Sequence, residues 1–144
     1  MTTRLAIALA ATLGLAMPAY SQAATPATQA AQAANPFFAE SPLPLHYPQF
    51  DKIKDSDFAP AFDAGMAEQL KEMDAIANNP AAPTFENTII AMEKSGQVLD
   101  RATTVFFNLV GTDTNDARNK LRADYSAKFA AHGDAISLNP KLFA

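Results

Sequence analysis

The stretch Pro44–Met66, "PLHYPQFDKIKDSDFAPAFDAGM", joins two unlike kinds of sequence. Its first half is aromatic and broken by prolines. Its second half falls into helical spacing. The fold turns on why Tyr47, Phe50, Phe58 and Phe62 lead into a helix. Either they staple a small bundle, or they anchor an arm onto a larger body.

Working forward, Phe58, Phe62, Met66, Leu70, Met73 and Ala77 recur every three or four residues, the helical period. Asp57 is the expected N-cap, with Pro60 in the first turn, where a missing N–H costs little. Asp63, Glu68, Lys71 and Asp74 take the opposite face, and "NNPAAP" (78–83) ends the element. Thr84 caps a second helix, with Glu86 in its first turn, where the helix dipole favours an acid. Phe85, Ile89, Met92, Leu99, Ala102, Phe106 and Leu109 form one stripe, and Ile90, Val98, Val105 and Phe107 broaden it. So wide an apolar face predicts a helix buried between neighbours. Gly96 lies in its middle, at about 1 kcal/mol relative to alanine, and suggests close packing. Gly111–Thr114 closes the element. A third helix runs from about Asn115 through Ala117, Leu121, Tyr125, Phe129 and His132, ending at Gly133 or extending over Ile136 and Leu138. Asn139 and Pro140 then form a helix start, and only Lys141–Ala144 follow. One turn cannot repay its own nucleation, so the chain reads as a fragment cut just inside a fourth helix.

Working backward, Pro42, Pro44 and Pro48 fix their own φ and bias their predecessors towards extended backbone. Phe37, Phe38, Leu45, Tyr47, Phe50 and Ile53 are too apolar for a free tail, so residues 37–54 read as an extended arm pressed onto a surface. Residues 24–36, "ATPATQAAQAANP", are low-complexity and have little to bury, so they read as a flexible linker. Residues 1–23 read as a signal peptide: Arg4, an apolar run from Leu5 to Leu15, Pro18, and the small-x-small site Ser21-Gln22-Ala23, with Ala19-Tyr20-Ser21 as a second candidate. The run is shorter than the ~20 residues a bilayer span needs.

Composition agrees with that division. The chain has 144 residues and a hydrophobic fraction of 49%, but 13 of its 31 alanines lie in the first 34 residues, outside the core. Removing Arg4 with the leader leaves 10 basic against 15 acidic residues, a charge of −5. An acidic chain without a basic patch argues against nucleic acid. The absence of cysteine fits an exported protein without disulfides.

No residue pattern here carries chemistry. His46 sits in the arm without an acid at ligand spacing and reads as a packing or solvent-facing residue. His132 lies on the third helix's apolar stripe and reads as a satisfied, half-buried histidine. Zinc needs three or four converging ligands, and the sequence has only two histidines and no H-E-x-x-H. Ser41, Ser56, Ser95, Ser126 and Ser137 lack a G-x-S-x-G context. Asp55, Asp57, Glu86 and Glu93 read as caps and solvated faces. No catalytic, cofactor-binding or metal-ligating residue is assigned.

Four phrases in order carry a resemblance: "FDKIKDSDFAPAF" (50–62), "PTFENTI" (83–89), "VFFNL" (105–109) and "LNPKLF" (138–143). Together they resemble the amino-terminal region of the thimet-oligopeptidase-like zinc metallopeptidases, nearest the bacterial peptidyl-dipeptidase (dipeptidyl carboxypeptidase) branch, with oligopeptidase A next. The resemblance covers about residues 35–144, and "PTFENTI" is its most specific piece. It implies an all-α fold, with residues 37–144 as the helical amino-terminal region of a larger two-lobed enzyme around a peptide channel. It also implies a monomeric, periplasmic parent that releases carboxyl-terminal dipeptides from short peptides, free of the membrane after signal cleavage. Zinc there is held by H-E-x-x-H and a later glutamate, none of which lies in the matching part, so this chain alone is expected to be inactive. The other reading is a stand-alone exported helical bundle that binds a peptide or protein partner.

Overall fold

A computed structural model describes residues 34–143, and among them the fold is all-α. The signal peptide expected over residues 1–23 and most of the 24–36 linker lie outside the described residues. The principal helices are α1 (Asp55–Ala77), α3 (Gln97–Thr112) and α4 (Asp116–Ser137). Between α1 and α3 lies α2, a π-helical stretch Phe85–Ile90 that runs into α-helical Ala91–Glu93. Short 3-10 turns at Pro36–Phe38 and Pro44–His46 precede them.

Among the described residues Phe58 and Phe62 staple a small bundle, and the arm is anchored onto that same bundle. Phe58 and Phe62 are wholly buried, and so is Phe106 of α3. Phe62 meets Phe106 edge-on at 5.2 Å and 83°, Tyr125 at 5.2 Å and Phe129 at 5.0 Å. The ring quadrupole favours such edge-to-face geometry, by about 0.5–1.5 kcal/mol per pair beyond area burial. Phe62 thus staples α1, α3 and α4. Phe58 meets Phe106 on one side and Phe37 of the arm on the other, each at 5.1 Å. That second contact anchors the arm, and Phe37 is only 3% exposed.

α1 begins earlier than the sequence suggests. Asp57 is not the N-cap but the third helical residue. Its carboxylate reaches back to accept the N–H of Lys54, the actual N-cap, at 2.8 Å. An acid at this position satisfies an orphan donor as a capping box does. Pro60 therefore falls in the sixth helical position, where it removes a bond to the Ser56 carbonyl. Both residues are exposed, so water can take that carbonyl.

The second helix departs from expectation most. It is broken at Gly96, which adopts φ +68 and starts α3. L-residues reach that region only at a cost, which glycine avoids. The freed Gly96 N–H donates to Glu72 of α1 at 2.7 Å. A Cβ on Gly96 would also run into the Gln69 side chain. The closest helix contact is elsewhere, at Gly65, where a Cβ would lie 2.7 Å from the Leu99 backbone nitrogen. Glycine there lets α1 and α3 touch backbone to backbone.

Burial along the second stripe is uneven. Val98, Ala102, Val105 and Phe106 are buried, but Phe85, Ile89 and Phe107 are 68%, 45% and 48% exposed. The expectation of a helix enclosed all round therefore holds only for α3's inner face, because α1, the arm and α4 cover that face and nothing described covers α2's outer side. The arm divides similarly. Phe37 is in the core, Phe38 and Ile53 are half-buried, and Leu45, Tyr47 and Phe50 face outward.

α4 begins as expected, with the Asn115 side chain accepting the Arg118 N–H at 2.8 Å. It passes through Gly133 to Ser137. Arg118 and Asn115 both reach Asp55 at the start of α1, at 2.7 and 2.9 Å. Further along, the Tyr125 hydroxyl donates to Asp63 of α1 at 2.9 Å, and Lys128 pairs with the same carboxylate at 3.0 Å. After α4, Asn139 accepts the Lys141 N–H, and the described chain ends in a turn. Among the described residues no helix is long and apolar enough to cross a membrane.

Candidate functional site

Besides the α1–α4 contacts at Asp55 and Asp63, two further regions among the described residues bring polar groups together. The first is a seam between α1, the α2–α3 break and α4. His132 Nε2 lies 2.7 Å from Gln69 Oε1, so that nitrogen carries the proton and donates. Gln69 Nε2 donates in turn to Ser95 Oγ at 3.4 Å, and Ser95 Oγ donates to the Met92 carbonyl at 2.6 Å. His132 Nδ1 is buried without a partner, and burial lowers the histidine's pKa.

A histidine and a serine joined through one amide invite comparison with a nucleophilic centre. The geometry does not supply one. A serine nucleophile needs a base in direct hydrogen-bond contact with its hydroxyl. Here an amide intervenes, which is neither acidic nor basic enough to relay a proton, and the serine proton is committed to a backbone carbonyl. The seam is a structural clamp that ties three elements at one level. His132 is therefore half satisfied: one ring nitrogen is bonded and the other is not. The pairing with Gln69 spans 63 residues of sequence, and no local pattern announces it.

The second region lies where the arm crosses α3. The Arg101 guanidinium donates through Nε and Nη2 to the Phe37 carbonyl, at 3.2 and 3.0 Å. This bond and Phe37 itself hold the arm down. Beyond it the arm folds on itself. Ser41 Oγ donates to the Tyr47 carbonyl at 2.6 Å, and His46 Nδ1 lies 3.1 Å from the Ser41 carbonyl. Leu45 and His46 both take positive φ, 56° and 55°, a strained conformation for side-chain-bearing residues. Beneath this loop lies a groove of about 200 Å³ whose walls include Phe37, Ile53, Asp100, Arg101, Thr104 and Val105.

The remaining residues weighed from sequence stay apart. Ser56 is exposed on α1, and Ser126 and Ser137 are exposed eleven residues apart on α4. Asp55 is committed to Asn115 and Arg118, which hold its carboxyl below the usual range; the Asn115 hydrogen bond has the largest effect. Glu86 is exposed in the first turn of α2. His46 has Glu40 3.5 Å from Nε2, an acid that helical spacing does not anticipate, with both side chains largely exposed. His46 and His132 belong to different elements. Among the described residues, no three His, Cys, Asp or Glu side chains converge as a metal would require. A zinc ion does not fit the groups that the described residues present.

No family model matches the chain. Two curated proteins do, the dipeptidyl carboxypeptidases of Salmonella typhimurium and Escherichia coli. Each is 46% identical over 110 residues, which is 76% of this chain but 16% of the relative. The chain thus spans about one sixth of the length of the relatives it matches. At that identity over a single all-α unit, the chain is related to the bacterial dipeptidyl carboxypeptidases, as its ordered phrases indicate.

Proposed function

We propose that this chain is a helical scaffold unit of a zinc peptidyl-dipeptidase, an enzyme that releases dipeptides from the carboxyl ends of short peptides. The observation that carries the reading is the 46% identity over 110 residues to two proteins named for that activity. The residues support a scaffold role and no more. The clusters described here are clamps and cores, and the sequence lacks H-E-x-x-H. In the parent enzyme the zinc, its ligands and the water-activating glutamate would come from other sequence, where the metal would make water acidic enough to attack an amide. This unit's task would then be to hold a wall of the peptide channel in place. Export to the periplasm through residues 1–23 completes the reading.

The test is a chimera. Residues 35–143 replace the matching segment of the Escherichia coli relative. The chimera should release dipeptides from a free-carboxyl peptide, identified by mass, and lose that activity to a chelator. A chimera that folds and binds zinc but releases nothing contradicts the reading. A cooperative, monomeric fold of the 144-residue chain with no apolar dye binding would instead favour a self-contained binding bundle.

A further inference from the structure

We propose that the groove between the arm and α3 is a binding site for a free α-amino acid with an apolar side chain. The inference stands on the groove alone and is independent of the peptidase reading.

Three observations converge there. The floor is apolar, built from Phe37, Ile53 and Val105. Arg101 lines one side and is half-buried, yet no carboxylate lies within ion-pair distance of it among the described residues. A guanidinium has five N–H donors. Two go to the Phe37 carbonyl, which leaves three to point elsewhere. Asp100 lines the same groove, and among the described residues its carboxylate has neither an ion pair nor a hydrogen bond. A half-buried cation with N–H donors to spare and a solvent-exposed carboxylate thus both line a groove with an apolar floor.

The chemistry that matches is a zwitterion with an apolar tail. A carboxylate meets Arg101, where a planar fork gives the stronger, paired hydrogen bonds. An ammonium meets Asp100. The side chain covers Phe37, Ile53 and Val105. Size sets the class. About 200 Å³ lies below the roughly 300–1,000 Å³ of pockets that take drug-sized ligands. A volume of that order accommodates a single amino acid within the groove. The two hydrogen bonds from Arg101 to Phe37 hold the guanidinium in place before a ligand arrives, and preorganisation of that kind reduces the cost of binding.

Leucine is the probe. It is titrated into the 144-residue chain while the amide resonances of Phe37, Ile53 and Val105 are followed by NMR. Saturable shifts at those three positions are expected. Leucinamide lacks the carboxylate, N-acetyl-leucine lacks the ammonium, and glycine lacks the side chain. Each should bind about tenfold more weakly or worse. Thr104→Phe fills the groove from an exposed position on α3 and should abolish the shifts while far-ultraviolet circular dichroism stays the same. Arg101→Lys keeps the charge but loses the fork, and should weaken leucine more than leucinamide. Equal, unsaturable shifts for all four ligands overturn the proposal. So does leucine binding that survives Thr104→Phe, or a chain in which Phe37 is not protected in solution.

Discussion

Phe62 and Phe85 are the same residue type, each on a helix, yet one is wholly buried and the other is 68% exposed. Phe62 sits where three helices meet and has rings from α3 and α4 around it. Phe85 sits on α2, which leans on the bundle by one side only. The arm repeats the contrast within itself: Phe37 is in the core, and Leu45, eight residues on, is 98% exposed. Apolar periodicity reports the face a helix offers. Whether anything covers that face depends on elements elsewhere in the chain or outside it.

The largest test of this contrast is truncation at each end of it. Phe62→Ala removes the shared ring of the bundle and should cost about 3–5 kcal/mol, as large-to-small changes in a core do. Phe85→Ala should stay within about 0.5 kcal/mol, as surface changes do. Denaturant midpoints on the 144-residue chain measure both. Equal losses would break the comparison.

A smaller effect is expected at the backbone contact. Gly65→Ala places a methyl 2.7 Å from the Leu99 nitrogen and should destabilise by about 1–3 kcal/mol through overpacking. Gly111→Ala, where no atom lies within 4 Å of the added carbon, should be neutral or stabilising, because alanine favours a helix. The same denaturation series tells the two apart.

Smaller still is the pH dependence. The Asp55 pKa is lowered in the fold, so its contribution is present above the unfolded value of about 3.9 and is lost as pH falls through the folded one. The carboxylate is 35% exposed, so solvent screening holds the term to about 1 kcal/mol or less. The His132 pKa is also lowered, here by burial. Stability therefore begins to fall as pH drops below the unfolded histidine value of about 6.5, and the loss continues down to the lowered folded pKa. Stability measured from pH 8 to pH 3 should show both losses. His132→Gln should flatten the upper one and leave the lower one, and Asp55→Asn should do the reverse. An unchanged profile in either variant contradicts the clamp it tests.

The smallest effect on stability is the most informative about the uncovered face. Phe85→Ser and Ile89→Ser together should leave the unfolding midpoint almost unchanged. They should reduce apolar dye binding and self-association, since they remove exposed apolar area. Sedimentation and dye fluorescence of the double variant check this.

Much of the fold was legible in the sequence because helix signals are local. The stop after Ala77, the Thr84 cap and the Asn115 cap each depend on residues within one turn. Asp57 misled because an acid three residues before a proline looks like an N-cap, whereas it acts from the third helical position. The break at Gly96 was hidden by spacing. Met92 and Leu99 are seven residues apart, so the apolar stripe continues in phase across the interruption. Gly65 drew no notice because a glycine inside a helix shows only its propensity cost, and its benefit lies on Leu99 of another helix. The His132–Gln69 clamp and the Arg101–Phe37 bond that shapes the groove are long-range pairings, which no window along the chain can contain.

The central claim is that these residues are scaffold and supply no peptide-bond chemistry of their own. The direct measurement loads the 144-residue chain with zinc, dialyses it into zinc-free buffer, incubates it with a short peptide bearing a free carboxyl end, and follows products by mass. The account predicts no dipeptide and no stoichiometric zinc retained. Dipeptide release that a chelator abolishes would contradict it.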